Sequence, residues 1–508
     1  MWRILGILCL VSAIQGANIL YMCPLISPSH HFWNEVLANG LAQRGHNVTI
    51  LSHDDIRLKH ENYTLVKFEG IYEALDGTFD LEDSPKMSTI ASMDRLFEGV
   101  IAMCSMDLET EGFKQIWNYP KDFKFDLIIW DANGGECMYP LIKRFGNPPV
   151  VVVSPFGLQP SISDFMGHHV HSYSPFMIFP FTDKMTFWQR MFNVVYTNYV
   201  VYYRKYFFLK KQQQIAKDKF GVDMVDDFQA LEKNLSLALV NTDPVYNYPE
   251  TYPPNIIPVA GIHIQPPKPL NKAFSKIIND SKNGVILFAL GSNVKSERIN
   301  PQILELFGKC FETLPYTILW KIKGGKDLIL SKNVITESWI PQNDVLANPK
   351  TKLFITHGGA LSTQESIYNG VPMLVFPFFY DQLNIAAKIA ERKIGDKLDY
   401  FSMTPEYVCG KINNILGDER YTRNVKVMSD RARDQQNTPL ERGIFWVEYI
   451  LRHGTAEHLN LVIRNASVFE SLNLDIMCFF LAIIVVPLLL IKCYCCKRCK
   501  KDKKIKTN

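Results

Sequence analysis

Short apolar runs alternate with amphipathic stretches through most of the chain. Asn18–Cys23 is a buried run of strand length. A loop over Pro24–Ser29 follows, then Trp33, Val36, Leu37 and Leu41 at helical spacing, with Arg44-Gly45 as the stop. Val48–Leu51 is the next strand, and Leu127–Trp130 is another that ends at Asp131. A β–loop–α–β opening predicts a parallel, doubly wound sheet. The pattern breaks at Gln265-Pro266-Pro267-Lys268-Pro269, a stiff linker, and then restarts. Val285–Leu290 runs into Gly291-Ser292, Tyr316–Trp320 is a strand, Lys352–Ile355 leads into Thr356-His357-Gly358-Gly359, and Met373–Phe376 is broken by Pro377. The expected class is α/β, with two Rossmann-type domains in series and a cleft between them.

Two apolar segments fall outside this pattern. Arg3 is followed by the run Ile4–Ile14 and by small residues at Gly16 and Ala17, which predicts a cleaved signal peptide over 1–16. Ile476–Ile491 has sixteen residues without a charge between Asp475 and Lys492. With Lys492 snorkelling, it predicts one transmembrane helix over 475–492. The net charge of +4 sharpens this picture. Residues 497–508 hold seven Lys or Arg against Asp502, a balance of +6, so the rest of the chain sums to about −2. No basic patch covers the body, which argues against nucleic acid as a partner. The basic tail, 493–508, belongs on the cytoplasmic side, which makes residues 17 to about 475 lumenal. Lys504 and Lys506 resemble the dilysine retrieval signal of type I endoplasmic reticulum membrane proteins. Between the ends, the expected divisions are a first domain (17–264), a linker (265–273), a second domain (274–440), and C-terminal helices (441–474).

Composition adds exclusions. With 47% hydrophobic and 21% charged residues, the chain is neither disordered nor fibrous. Of eleven Cys, six lie in the two end segments, leaving Cys23, Cys104, Cys137, Cys310 and Cys409. These are sparse and odd in number, so no disulfide-stapled scaffold is expected. The tail cysteines lack further ligands for zinc, and juxtamembrane acylation suits them better. The stretch 181–214 is crowded with aromatics, including Phe187, Trp188, Phe192, Tyr196 and Tyr199. It reads equally as core helices or as a membrane-facing or acceptor-lining surface.

Ligands in open α/β sheets bind beyond the carboxyl ends of strands. Four such ends carry reactive or anion-seeking groups: Ser29-His30, Asp131, Gly291-Ser292 and His357-Gly358-Gly359. Small residues there let backbone N–H groups approach a phosphate, and the helix carrying Ser362, Gln364 and Glu365 offers its N-terminus. No Walker A lysine and no GxGxxG occurs. Trp339 and Gln342 suit stacking on and reading a nucleobase, Glu365 suits a ribose diol, and Asp381-Gln382 suits sugar hydroxyls.

The segment FITHGGALSTQESIYNGVPMLVFPFFYDQ (Phe354–Gln382), with WIPQNDVLANPKTKL before it, resembles the signature of the UDP-glycosyltransferase family, UDP-glucuronosyltransferase type. FALGSNVKS, the stretch TPLERGIFWVEYILRHGTAEHL, the signal, the span and the lysine tail extend the likeness over the whole chain, and LSTQE and GSNVKS look like insect members. The resemblance implies a GT-B arrangement, in which 17–264 binds the acceptor, 274–440 binds the UDP-sugar and the helices of 441–474 return to the first domain; Trp339 stacks on uracil and Gln342 contacts the nucleoside. His357, Ser292 and Ser362, with Gly291 and Gly359, hold the diphosphate; Glu365 binds ribose, and Asp381 and Gln382 bind the sugar. It implies a catalytic His sixteen residues before the His of RGH, which is His30 rather than His31, with Asp131 as its carboxylate partner. Leu361 departs from the Asn found in many vertebrate and plant members.

The implied reaction is transfer of a hexose, glucose ahead of glucuronate, from a UDP-sugar to a hydroxyl of a small lipophilic acceptor, with inversion. UDP-sugar is then a co-substrate, and no cofactor or metal is expected because no DxD motif occurs. His168, His169 and His171 are not expected to bind metal. The alternative from another class is a catalytically inactive endoplasmic reticulum membrane protein binding UDP-sugar or a lipophile. A homo-oligomer is compatible with either. Sequons at Asn62, Asn234, Asn279 and Asn465 are expected sites of glycosylation, Asn62 foremost; a fifth, at Asn47, opens a core strand and is expected bare.

Overall fold

A computed structural model describes residues 16–75, 87–169, 171–294, 298–323 and 330–505. Residues 1–15 of the expected signal peptide and Lys506 of the tail motif lie outside them. The apolar runs form two wholly parallel sheets. The first has seven strands in the order β3-β2-β1-β4-β5-β6-β7, and the second has six in the order β10-β9-β8-β11-β12-β13. The first comprises β1 (Asn18–Cys23), β2 (Asn47–Ser52), β3 (Tyr63–Lys67), β4 (Leu127–Asp131), β5 (Val150–Ser154), β6 (Leu237–Val240) and β7 (Ile256–Pro258). The second comprises β8 (Val285–Ala289), β9 (Thr317–Lys321), β10 (Val334–Glu337), β11 (Thr351–Thr356), β12 (Met373–Val375) and β13 (Gly395–Lys397). The central strands β1, β4 and β5 of the first sheet and β8 and β11 of the second are buried almost throughout. That is why they read as continuous apolar runs rather than alternating ones. In both sheets the order reverses beside the first strand, at β1/β4 and β8/β11. These are the switch points where crevices open beyond the carboxyl ends.

Helices cover both faces. The helix Pro439–His453 opens with a Thr438/Glu441 capping box and returns to the first sheet, where Ile444 and Val447 join the core with Leu37, Leu41 and Leu239. Polar contacts also bind the two halves. Asn293 Nδ2 donates to Ser27 Oγ at 3.0 Å, and Asn384 Nδ2 to the Phe181 carbonyl at 2.8 Å.

Three local features bear on the sequence expectations. The first helix starts at Pro28, so Ser29 and His30 sit in its first turn and not in a loop; proline at the start has the φ a helix needs and no N–H to leave unmet. Four of the five interior cysteines pair, Cys104 with Cys137 and Cys310 with Cys409, one bridge beside each sheet, leaving Cys23 buried and free. Asn47 is exposed at the edge of its strand, whereas Asn62 is half-buried; Asn234, Asn279 and Asn465 are exposed. The helix Leu474–Ile505 contains 24 residues, Leu474–Lys497, long and apolar enough to cross a membrane, and none of that stretch is buried by protein.

Candidate functional site

The carboxyl ends of both sheets face one cavity of about 410 Å³, within the usual range for a small-molecule site. Its walls join Ser29, His30 and Asn133 from the first sheet to Gly291, Ser292, His357, Gly359, Ser362, Asp381 and Gln382 from the second. The remainder of its first-domain wall is mostly apolar, with Met93, Phe97, Val100, Met103, Phe176 and Phe208.

His30 is buried, with its Nδ1 3.6 Å from Asp131 Oδ2. That is beyond a good hydrogen bond, as is common in ligand-free catalytic pairs. Its ring meets the edge of Phe156 at 4.2 Å between centroids, and Phe156 in turn meets Tyr380 across the cleft at 5.0 Å. Asp131 is fully buried at the end of β4. Asn34 Nδ2 donates to its Oδ2 at 2.7 Å, and the Asn133 N–H donates to its Oδ1 at 3.2 Å. Asn34 is itself held by the Tyr21 hydroxyl, 2.9 Å from Oδ1. The carboxylate is thus fixed by neutral donors, and among the described residues no Lys or Arg pairs with it. His31 points away: its Nδ1 pairs with Ser52 Oγ at 2.7 Å, and its Nε2 lies 3.8 Å from Glu35. Burial holds His31 down at about 4, so it is neutral. Adjacent positions on a helix diverge by about 100°, so only His30 reaches the cavity.

In the second half, His357 follows β11 and is clamped between two glycines. A Cβ on Gly291 would lie 2.5 Å from its ring and one on Gly359 2.4 Å, so neither position tolerates a side chain. Burial, with Lys321 nearby, lowers His357 to about 4. A neutral imidazole there serves an anion by donating a hydrogen bond rather than by charge. Ser362 lies in the first turn of the helix Ala360–Tyr368, and Gln342 Nε2 donates to it at 3.1 Å and to Glu365 Oε2 at 2.6 Å. Burial pushes the Glu365 carboxyl up to about 7. Trp339, Gln342 and Glu365 do not line the main cavity; Gln342 joins Glu365 to Ser362, which does, and Trp339 is 64% exposed as a bare aromatic face. Asp381 is buried and raised to about 7 by desolvation. The Gln382 amide oxygen accepts from the Phe378 N–H at 2.8 Å, which leaves only its NH₂ for a ligand. Tyr380 between them has φ +55°, a strained value for a bulky residue and common where a site is over-determined. Leu361 lines the cavity, and its carbonyl accepts from His263 Nε2 at 3.1 Å. His171, from the histidine triplet, pairs with Thr251 Oγ1 at 2.9 Å.

Two residues escaped the sequence reading. Asn34 stands one helical turn beyond His30, a spacing that could have flagged it. Lys321 closes β9 as a lysine on an otherwise apolar strand. Its Nζ donates to the Gly291 carbonyl at 3.4 Å, it is half-buried, and no carboxylate lies within 4.0 Å of it among the described residues.

Known proteins similar in sequence or in fold carry this architecture. The family described as "UDP-glucoronosyl and UDP-glucosyl transferase" matches residues 22–507. UDP-glycosyltransferase UGT5 of Dactylopius coccus is 31% identical over 496 residues, covering 95% of this chain and 92% of its own length. UDP-glucuronosyltransferase 1A7 of Mus musculus is 30% identical over 538 residues, covering 99% and 97%. Among solved structures, the calicheamicin glycosyltransferase CalG4 superposes with a TM-score of 0.58 at 16% identity, over 86% of this chain and 99% of its own, which shows the GT-B fold. The two-sheet cleft, the signature on its second half and a family match across nearly the whole length together make this chain a member of the UDP-glucuronosyl and UDP-glucosyl transferase family, and so a glycosyl-transferring enzyme.

Proposed function

We propose that the chain transfers glucose from UDP-glucose to a hydroxyl of a small lipophilic acceptor, with inversion at the anomeric carbon. The acceptor oxygen attacks that carbon as its proton passes to the ring nitrogen of His30 that faces away from Asp131. The bond to the diphosphate oxygen breaks, and UDP leaves with the electron pair. Asp131 orients the ring and stabilises the imidazolium, the logic of a hydrolase triad. Hydrogen bonds from His357 and the helix at Ala360–Tyr368 meet the charge growing on the diphosphate. Trp339 and Gln342 take the uracil, Glu365 the ribose, and Asp381 and Gln382 the sugar. No metal enters this scheme; the sequence has no DxD motif to hold one.

The observation that carries the reading is the single cavity joining buried His30 to Ser292, His357 and Asp381. Glucose is preferred because the cations near Asp381 are already engaged. Lys388 Nζ donates to the Tyr246 carbonyl at 3.3 Å, and Arg392 donates to the carbonyls of Val245 and Asn247 at 2.7 and 2.6 Å. Glucuronate is the second reading, favoured by Arg298, which lines the same cavity. Microsomes carrying the full chain, given UDP-glucose or UDP-glucuronate with a panel of phenols, decide: faster product formation from UDP-glucuronate overturns the donor assignment. In the same proposal both domains, residues 17 to about 475, lie in the endoplasmic reticulum lumen, with Asn234, Asn279 and Asn465 glycosylated alongside Asn62. A gel mobility unchanged by endoglycosidase contradicts that topology.

A further inference from the structure

The helix Phe187–Tyr203, prolonged by a π turn through Phe208, has two faces of opposite fate. Asn193, Tyr196, Thr197 and Val200 are buried against the first domain. On the other side Phe187, Trp188, Phe192, Val195, Tyr199 and Tyr202 are all exposed, Trp188 by 69% and Val195 by 64%, and the row continues to Tyr206 and Phe207. At 100° per residue those six fall within an arc of about 140°, so they form one stripe. Isolated exposed apolar side chains need no explanation, but a contiguous aromatic row does.

The charge along this element has one sign. No Asp or Glu occurs from Phe187 to Lys217, while Arg190, Lys205, Lys210 and Lys211 flank the stripe. Tyr and Trp beside Lys and Arg is the composition of a helix lying in the headgroup region of a bilayer.

The chain's own tether leads to the same place. Among the described side chains, Arg464 is the last buried one before the membrane-crossing helix. Its guanidinium donates to the carbonyls of Phe165 at 2.8 Å, Leu235 at 2.9 Å and Glu232 at 3.2 Å. The Glu232 carboxylate in turn holds Arg204, in the π turn of the aromatic helix, at 2.6 Å. One glutamate therefore joins the anchor of the span to the end of the aromatic stripe. Only residues 465–473 separate Arg464 from Leu474, a reach of at most about 36 Å even if fully extended.

We propose that the exposed face of the Phe187–Phe208 helix is a lipid-docking surface, seated in the interface of the bilayer that holds the Leu474–Lys497 helix. The mostly apolar cavity then opens close to the membrane in which lipophilic acceptors dissolve; Val200, Arg204 and Phe208 of this same helix line it. The assignment rests on Leu474–Lys497 spanning a bilayer, and is independent of the donor and of the catalytic pair.

The test uses the full chain in lipid nanodiscs, comparing wild type with Trp188→Phe, so that the difference in emission isolates Trp188. Retention of the chain in the discs through an alkaline wash checks the span separately. With brominated phosphatidylcholine in the discs, the Trp188 component should fall about twofold or more, while aqueous iodide quenches it weakly. Quenching by iodide but not by bromolipid overturns the proposal. Protection from both quenchers also overturns it, because a protein surface, such as a second copy of the chain, would then cover the stripe.

Discussion

Replacing Asp131 by asparagine exchanges one heavy atom and alters two properties. The carboxylate now accepts at both oxygens: Oδ2 from Asn34 at 2.7 Å, and Oδ1 from the Asn133 N–H at 3.2 Å and from the Asn133 side chain. An amide accepts at one oxygen only, so a buried donor at one end meets an NH₂ group. Leaving such a donor unmet costs about 1–3 kcal/mol, worth roughly 2–4 °C of Tm per kcal/mol in a domain of this size. The larger effect is on charge. With His30 Nδ1 3.6 Å away, the carboxylate is the only group among the described residues positioned to balance an imidazolium. Its loss removes about 10²–10⁴ in turnover, or about 2.7–5.4 kcal/mol of barrier. Donor affinity should stay within about threefold of wild type, because the donor residues lie on the other sheet. The assay is turnover with UDP-glucose and a phenol, UDP affinity, and thermal unfolding of the purified full chain. Turnover within about threefold of wild type would refute the paired roles of His30 and Asp131. Parallel loss of turnover and UDP affinity would instead assign Asp131 a purely structural role.

Other outcomes follow from the same geometry. His31→Ala should lose about 1–3 kcal/mol of stability, since it strips Ser52 of a buried partner, yet keep turnover within about fivefold; an inactive, fully stable variant would mean that the wrong histidine has been assigned. Lys321→Met should weaken UDP on the order of tenfold and leave uridine unchanged, with Lys321→Arg restoring UDP; equal affinities across the set would remove Lys321 from the diphosphate site. Glu365, raised by burial from 4.5 to about 7, holds a proton in the folded state that the unfolded chain has already released within that window. It therefore subtracts stability as pH rises through the window, and Glu365→Gln should flatten that decline in the Tm of the ligand-free protein between pH 5 and about 7.5. An unchanged slope would show that the carboxyl is not held in an apolar setting.

The strands were legible because both faces of each central strand are covered, so no polar residue interrupts them. The site was legible wherever a strand's carboxyl end carried an unusual group, as at Asp131, Gly291-Ser292 and His357. The choice of His30 over His31 came from the family spacing, and the fold supplies its physical reason in the divergence of adjacent helical positions. Other features depend on partners far away in the sequence. Cys310 meets Cys409 across 99 residues, and Asn34 meets Asp131 across 97. The Gln382 side chain looked free for sugar, but its oxygen closes its own turn. The aromatic stretch 181–214 could be read as core or as surface because it is both. One side, with Tyr196 and Phe208, packs on the domain, and the other, with Trp188, Phe192 and Tyr199, faces outward.

The central claim is that His30 is the base of a UDP-sugar-dependent transfer. The direct measurement is UDP release and glycoside formation, followed together, by wild type and His30→Ala at matched expression with UDP-glucose and a lipophilic phenol. One glycoside should appear per UDP released in wild type. His30→Ala should lose about 10²–10⁴ in rate while its UDP affinity is retained. A His30→Ala enzyme that turns over at the wild-type rate, with the same coupling, would contradict it.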